Sequence, residues 1–150
     1  MINNNYYDIA MSDLAYLQHS LDYPGYNQIV VQIQQICEKL LKSVAETVCI
    51  PKDAKDSLQT HNLRKINSII LQNGLDLHLN PKDLSYVKDF YFDAKYPGEN
   101  FVTVSKKECE DCLDIMYHIL EEVTLYRNHN GYHTIEYNCV KLPAMSKIDD

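Results

Sequence analysis

The sequence predicts an all-α fold, a five-helix antiparallel up-and-down bundle with a short C-terminal tail. Apolar residues recur at three- and four-residue steps in several segments, which is the period of an amphipathic helix. Gly and Pro number only four and five, too few for the many turns of an all-β fold. With 150 residues, of which 45% are hydrophobic, the chain is long enough to bury one core.

Five segments carry the helical pattern, and they are, in chain order, about residues 5–22, 26–48, 60–73, 80–96 and 105–126. The residues that end the first four are Pro24-Gly25, Pro51, Asn73-Gly74 and Pro97-Gly98. Asn80-Pro81 favours the start of the fourth helix, and Ser105 with Glu108 forms a capping box at the fifth. The polar stretch 52–59 is predicted to be a loop.

The C-terminal part is expected to lie outside the helical domain. We assign residues 1–128 to the bundle and residues 129–150 to a tail that packs on it or extends from it. Asn130-Gly131 predicts a turn. Tyr132 to Val140 alternates weakly between apolar and polar, which allows either a short strand or an ordered tail.

Composition excludes several classes of protein. No apolar run approaches the roughly 18 residues that span a membrane, and residues 1–5 lack the pattern of a signal peptide, so a cytoplasmic protein is expected. Five Cys without framework spacing indicate reduced thiols. The net charge of −7 disfavours a generic binder of nucleic-acid backbones. Residues 98–150 carry five basic and ten acidic groups, so any anion site is expected in the first two thirds.

Three short motifs fall in order on the predicted helices. Residues 35–43 read QICEKLLKS on the second helix, residues 60–63 read THNL at the start of the third, and residues 92–97 read FDAKYP at the end of the fourth. In order, spacing and placement they resemble the signatures of the HEPN family, the higher eukaryotes and prokaryotes nucleotide-binding domain, over about residues 6–127. The resemblance implies an antiparallel helical bundle that is commonly a dimer.

The resemblance also implies a range of functions. Many family members accompany a minimal nucleotidyltransferase, often as a toxin and antitoxin pair. Others are ribonucleases that carry an R-x(4–6)-H motif, and the family name records nucleotide binding. Asn62 stands where the family pattern has Asp, and Lys95 stands where it has Arg.

A first candidate site, for a nucleotide, is predicted on the second helix. Glu38 and Lys42 lie four residues apart, and His61 lies at a helix N-terminus, where free N–H groups favour an anion. The ligand-binding residues assigned to this site are Gln35, Glu38, Lys39, Lys42, His61, Lys95 and Tyr96. The alternatives are a solvated polar face with a Glu38–Lys42 ion pair and a dimer interface that uses the same face. No metal or resident cofactor is predicted.

A second candidate site consists of Arg127 and His133, which fit R-x(5)-H. In a metal-independent endoribonuclease, His133 would take the proton from a 2′-hydroxyl and Arg127 would stabilise charge on the phosphate. The alternative is an arginine that only complements the negative end of the last helix. RNA is a predicted partner under the endoribonuclease hypothesis alone.

Cysteines and tyrosines suggest further roles. Cys109-x-x-Cys112 has a spacing known in zinc and redox sites, but both residues fall on an apolar stripe and are predicted to lie in the core. The five tyrosines near the first bend are Tyr6, Tyr7, Tyr16, Tyr23 and Tyr26. Because Tyr is enriched at interfaces, they predict a homodimer through the first two helices, with ordinary half-buried tyrosines as the alternative.

The sequence thus predicts a homodimeric helical module that binds a nucleotide or pairs with a nucleotidyltransferase. The endoribonuclease is the alternative function, and a structural dimer with no ligand is a further one.

Overall fold

A computed structural model of the chain describes residues 5–95 and 103–144, and these residues form six helices and no strand. The helices are α1 (Tyr6–Gln18), α2 (Tyr26–Val48), α3 (Pro51–Gln59), α4 (Leu63–Gln72), α5 (Pro81–Lys95) and α6 (Lys106–His129). The all-α prediction is confirmed. None of the helices in this part of the chain is long and apolar enough to cross a membrane.

The predicted count of five helices is wrong, because the predicted loop 52–59 is helix α3. Helix α2 already ends at Val48, and Pro51 is the first residue of α3. Its fixed φ suits that position, and its missing N–H would have no partner within the helix there. Ser57 is the one buried residue of α3. A helix that buries so little leaves almost no apolar period to detect, which explains why the sequence predicted a loop.

Helix α2 is the centre of the bundle and packs against each of the other five helices. Its buried apolar side chains are Ile29, Val30, Ile33, Ile36, Cys37, Leu40, Leu41, Val44 and Ala45. At the start of α2, Asn27 accepts a hydrogen bond from the backbone N–H of Val104, and near its end Thr47 is bonded to Tyr126. Helix α6 therefore runs parallel to α2.

Helix α1 runs in the opposite direction along the same seam. Tyr7, in its first turn, lies beneath Arg127 near the end of α6, whereas Gln18, its last residue, donates to the hydroxyl of Tyr117. The two helices are therefore antiparallel. The amide oxygen of Asn5 caps the first turn by accepting from the backbone N–H groups of Tyr7 and Asp8, which fixes where α1 begins.

After α6 the chain reverses at Asn130-Gly131, where Gly131 has a φ of +77° that favours glycine. Residues 132–144 then run back along the seam between α1 and α6 without forming a strand. Ile135 lies at Tyr7, and Pro143 lies at Lys106, at the other end of α6. Of the two conformations that the sequence allowed, the ordered tail is the one present.

Candidate functional sites

Three polar side chains of α2, spaced four residues apart, form a ridge that faces α4. We call Gln34, Glu38 and Lys42 the α2 ridge. The ammonium of Lys42 donates to Glu38 Oε2 at 3.0 Å, and the amide of Gln34 donates to the backbone oxygen of His61 at 3.1 Å. The Nδ1 atom of His61 lies 3.0 Å from the same Glu38 oxygen. The Glu38 carboxylate therefore contacts both the Lys42 ammonium and the His61 ring.

The α2 ridge is nearly dry at its centre. The side chain of Lys42 is 5% exposed and that of Glu38 is 13% exposed, whereas the His61 ring is 81% exposed. The expectation of a solvated polar face is thus wrong for Lys42, which is buried between helices. A buried charge is costly unless it is paired, so the main role of the Glu38 carboxylate is to neutralise the buried Lys42 ammonium. A phosphate ligand would have to compete with that carboxylate.

Two further residues assigned to the nucleotide site lie away from the ridge. Lys39 points toward α1, where its ammonium lies 2.5 Å from Asp13 Oδ2. Gln35 is half-buried and takes part in none of the ridge hydrogen bonds. Successive residues of a helix are turned by about 100° from one another, so Lys39 faces away from the direction of Glu38. Gln35, three residues before Glu38, is turned by about 60° from it and lies beside the ridge.

The described part of the third motif, FDAKYP, lies at the other end of α2. The backbone oxygen of Ala94 accepts from the amide of Asn27 at 3.4 Å. Glu38 lies eleven residues further along α2, a distance of about 17 Å at 1.5 Å per residue. Tyr96 and the side chain of Lys95 lie outside the described residues.

Arg127 and His133 come together at the end of α6. Arg127 is only 4% exposed. Its Nε donates to the backbone oxygen of His133 at 2.9 Å, and its Nη2 lies 3.4 Å from His133 Nδ1. The guanidinium carbon sits 3.9 Å above the ring centre of Tyr7 and 5.3 Å from that of Tyr132. Arg127 is therefore held by two aromatic rings and the tail.

His133 is fixed from its second nitrogen by α1. Its Nε2 lies 2.6 Å from Asp8 Oδ1, and its ring meets the Tyr7 ring edge-on at 5.5 Å between centres. With Nε2–H donating to the carboxylate, Nδ1 is the basic nitrogen. A histidine oriented by a carboxylate is the arrangement of a general base. Both of its nitrogens already have partners, however.

The charge of Arg127 has no carboxylate partner within salt-bridge distance in the described part of the chain. Glu46 lies close enough for the positive charge of Arg127 to affect its pKa. Burial raises the pKa of the Glu46 carboxyl, and the positive charge of Arg127 opposes that rise. The guanidinium is thus a buried cation stabilised chiefly by aromatic faces and a neutral carbonyl.

A polar groove of about 580 Å³ lies beside this cluster, between α6 and the tail. It is lined by Thr124, Asn128, Thr134, Ile135, Glu136, Tyr137 and Asn138. Its hydroxyl and amide groups suit a neutral polar ligand, and the carboxylate of Glu136 disfavours a phosphate there.

Asp8 and Gln34 are the site residues that the sequence analysis missed. Asp8 lies 125 residues from His133, and only the packing of α1 on α6 brings them together, so no local pattern pointed to it. Gln34 had a signal, since it is four residues before Glu38 and eight before Lys42.

Cys109 and Cys112 are fully buried in the core, as their spacing on the apolar stripe predicts, and they are unpaired. Burial raises the pKa of each thiol to about 12. Within residues 5–95 and 103–144, no group of three His, Cys, Asp or Glu side chains is placed to hold a metal.

The tyrosines near the first bend divide into three groups. Tyr7 is fully buried, Tyr6 and Tyr26 are half-buried, and Tyr16 and Tyr23 are 70% and 73% exposed. The exposed side of α1 and its C-cap consists of Ile9, Ser12, Ala15, Tyr16 and His19, which we call the α1 stripe. The stripe contains no Asp, Glu, Lys or Arg.

Within the described residues, six helices around a central second helix, with the motif QICEKLLKS on α2 and the motif THNL leading into α4, define an all-helical bundle domain. A family model described as the HEPN domain matches residues 4–128, most of the chain. The protein belongs to the HEPN family. No curated protein and no solved structure matches it.

Proposed function

We propose that the protein is a HEPN interaction module that works as a homodimer, in which two copies pair through the α1 stripe. The observation that carries this proposal is the composition of the stripe: Ile9 and Tyr16 are exposed on a surface without formal charge, in a chain of net charge −7. The cores of protein interfaces are enriched in aromatic residues and depleted in charge.

The flanks of the stripe support the same pairing. The two carboxylates of α1 are already engaged, Asp8 by His133 and Asp13 by Lys39. In a two-fold arrangement each surface meets its own copy, so an unpaired charge would face itself. The α1 stripe avoids that penalty.

The dimer is tested by Tyr16→Glu, which would place two like charges in one interface. The wild type is expected to sediment as a dimer at micromolar concentration, and Tyr16→Glu as a monomer with an unchanged melting temperature. Leu71→Glu is the matched control, because Leu71 is also exposed but lies on α4. A wild type that sediments only as a monomer would remove the proposal.

The module is further proposed to bind a nucleotide beside the α2 ridge. A phosphate there would meet His61 and the first turn of α4, and it would reach Lys42 only by displacing Glu38. Thermal shift with a nucleotide panel at millimolar concentration measures this. Stabilisation of the wild type and of the surface control His129→Ala, at an exposed position of α6, but not of His61→Ala, is expected. Equal shifts in all three proteins would place the ligand elsewhere.

A second candidate function, a metal-independent endoribonuclease, is favoured by the contact of Arg127 with His133 and of His133 with Asp8. His133 Nδ1 would take the 2′-hydroxyl proton, Asp8 would orient the ring, and Arg127 would bind the phosphate.

Cleavage of RNA in the presence of chelator tests this candidate. His133→Ala is expected to lower the rate at least about 100-fold, the usual contribution of a general base. His129→Ala, an exposed histidine at the end of the same helix, should leave it unchanged. Equal degradation by wild type and His133→Ala would assign the activity to a contaminant and end the hypothesis.

A further inference from the structure

We propose that residues 132–144 form an autoinhibitory strap. It holds the backbone oxygen of His133 on the Nε of Arg127, and residues 134–144 must detach before the guanidinium binds a phosphate, while the His133 ring stays on Asp8. This inference rests on the endoribonuclease candidate, since it concerns the regulation of that same site. The strap proposal adds to the endoribonuclease candidate that the structure described above is the closed form, in which Arg127 is covered.

Side chains of the bundle anchor the strap at five main-chain groups. Side chains of the strap add contacts from His133 to Asp8, from Thr134 to Asn128 and from Lys141 to Asp114. Gln18 donates to the oxygen of Asn138 at 2.7 Å, and Tyr117 donates to that of Val140 at 2.5 Å. The hydroxyl of Tyr7 accepts from the backbone N–H of Ile135. The Nε of Arg127 donates to the backbone oxygen of His133, and the ammonium of Lys106 donates to that of Pro143. These bonds extend along the whole seam between α1 and α6.

In the closed form the two motif residues occupy each other. The Nε of Arg127 donates to the backbone oxygen of His133, and Nη2 of Arg127 lies 3.4 Å from His133 Nδ1. A phosphate offers Arg127 a charge-assisted, two-pronged partner in place of a neutral carbonyl, which is the stronger bond. Exchange of the strap for a phosphate therefore improves the pairing of Arg127.

Detachment of the strap costs little apolar burial. Leu142 is its one buried residue, Tyr137 is partly buried against the core, and most of its other side chains are exposed. Segments with few buried apolar contacts open at a small fraction of the global unfolding free energy. His133 follows Gly131 by only two residues, about 7 Å of chain, so it stays within reach of Arg127 when the rest swings away.

The test variant is Leu142→Asp, which sets a carboxylate beside Glu110 and Asp114 at the far end of the strap from Arg127. Because the change lies in the strap, the bundle keeps its own core. The matched control is Val140→Asp, which adds the same charge at a position that is already 38% exposed. An added negative charge by itself would weaken RNA binding, so tighter binding has only one source.

The measurements are hydrogen exchange of the Ile135 amide and the Kd for a short fluorescent RNA whose 2′-hydroxyls are methylated, so that it binds without being cleaved. Leu142→Asp is expected to speed exchange and to tighten binding about tenfold, the size of one charge-assisted hydrogen bond. Val140→Asp should do neither. Adding Arg127→Lys to Leu142→Asp should abolish the gain, because lysine lacks the planar fork.

The remaining outcomes separate the two ideas. Faster exchange without tighter binding, or unchanged exchange in Leu142→Asp, overturns the strap, and the endoribonuclease stands if His133→Ala still abolishes cleavage. If neither wild type nor Leu142→Asp binds or cleaves RNA, both the candidate function and the strap fail.

Discussion

Lys42 and Arg127 are the buried cations of the described chain, and their charges are compensated in opposite ways. Lys42 has a carboxylate four residues earlier on its own helix, and the side chains of the pair are only 5% and 13% exposed. Arg127 has the faces of two tyrosines and a backbone oxygen from a segment that follows the last helix. The first arrangement belongs to the bundle, whereas the second depends on a detachable neighbour.

The difference shows which cation is available for a ligand. Removing the partner of Lys42 means leaving a bare charge between two packed helices, which is costly. Removing the strap from Arg127 leaves the Tyr7 ring in place and uncovers a guanidinium. The comparison therefore favours Arg127 over Lys42 as the group that meets an anion.

The largest expected effect is at the Lys42 pair. Glu38→Gln keeps the shape of the side chain but leaves the ammonium unpaired, so we expect unfolding by urea to show a loss of about 3 kcal/mol. The double variant Glu38→Gln/Lys42→Met should recover part of that loss. If the single variant were as stable as the wild type, the buried pair would have no structural role.

The next effect is at Arg127. Arg127→Met retains most of the bulk but loses the contact with Tyr7, so we expect a loss of about 2 kcal/mol, the upper range for a desolvated cation–π contact. Arg127→Lys should lose less, because it keeps the charge. Urea titration of the three proteins measures both values. A larger loss than in Glu38→Gln would reverse the ranking drawn above.

A third kind of buried ionisable group is kept neutral. Burial raises the pKa of Cys109 and Cys112 to about 12 and raises that of Cys37 further, whereas in the unfolded chain these thiols ionise near 9. The folded state then binds more protons than the unfolded state above pH 9, so stability present below that pH falls as pH rises. The expected slope is about 1.4 kcal/mol per pH unit for each thiol.

Urea titrations at pH 8 and pH 10 measure this slope. Cys112→Ala should be less stable at both values, because it leaves a cavity, but it should lose less between them than the wild type does. Identical pH dependence in the two proteins would show that Cys112 ionises as easily in the fold as outside it.

The smallest effect is expected at Lys39. Its bond to Asp13 is short, yet the two side chains are 30% and 40% exposed, so Lys39→Ala should cost at most about 0.5 kcal/mol. The loss should shrink further in 1 M salt, where exposed pairs are screened. A loss comparable to that of Glu38→Gln would show that exposure does not rank these pairs.

The sequence predicted the strongly amphipathic elements well. Helix α2 has a broad apolar face, and the capping box of Ser105 and Glu108 is present at the start of α6. The sequence did not predict helix α3, because most of its residues are polar and a proline can either end a helix or begin one. That choice depends on what the next turn packs against, which a local pattern does not contain.

The candidate sites were predictable only where their residues lie on one helix. Glu38 and Lys42 meet because they are one turn apart, whereas Lys39, one residue after Glu38, is turned by about 100° from it and meets Asp13 of α1. The contact between Asp8 and His133 joins the two ends of the chain. It follows from the antiparallel packing of α1 on α6, which no spacing in the sequence expresses.

Main-chain anchoring of the segment after α6 has an evolutionary consequence. Carbonyl groups are common to all twenty amino acids, so the identities of Asn138, Val140 and Pro143 are free to drift while the selective constraint falls on Gln18, Tyr117 and Lys106. Position 135 is constrained in another way, because its N–H donates to Tyr7 and proline has none to give. Homologues should therefore vary widely at positions 138, 140 and 143 and lack proline at position 135.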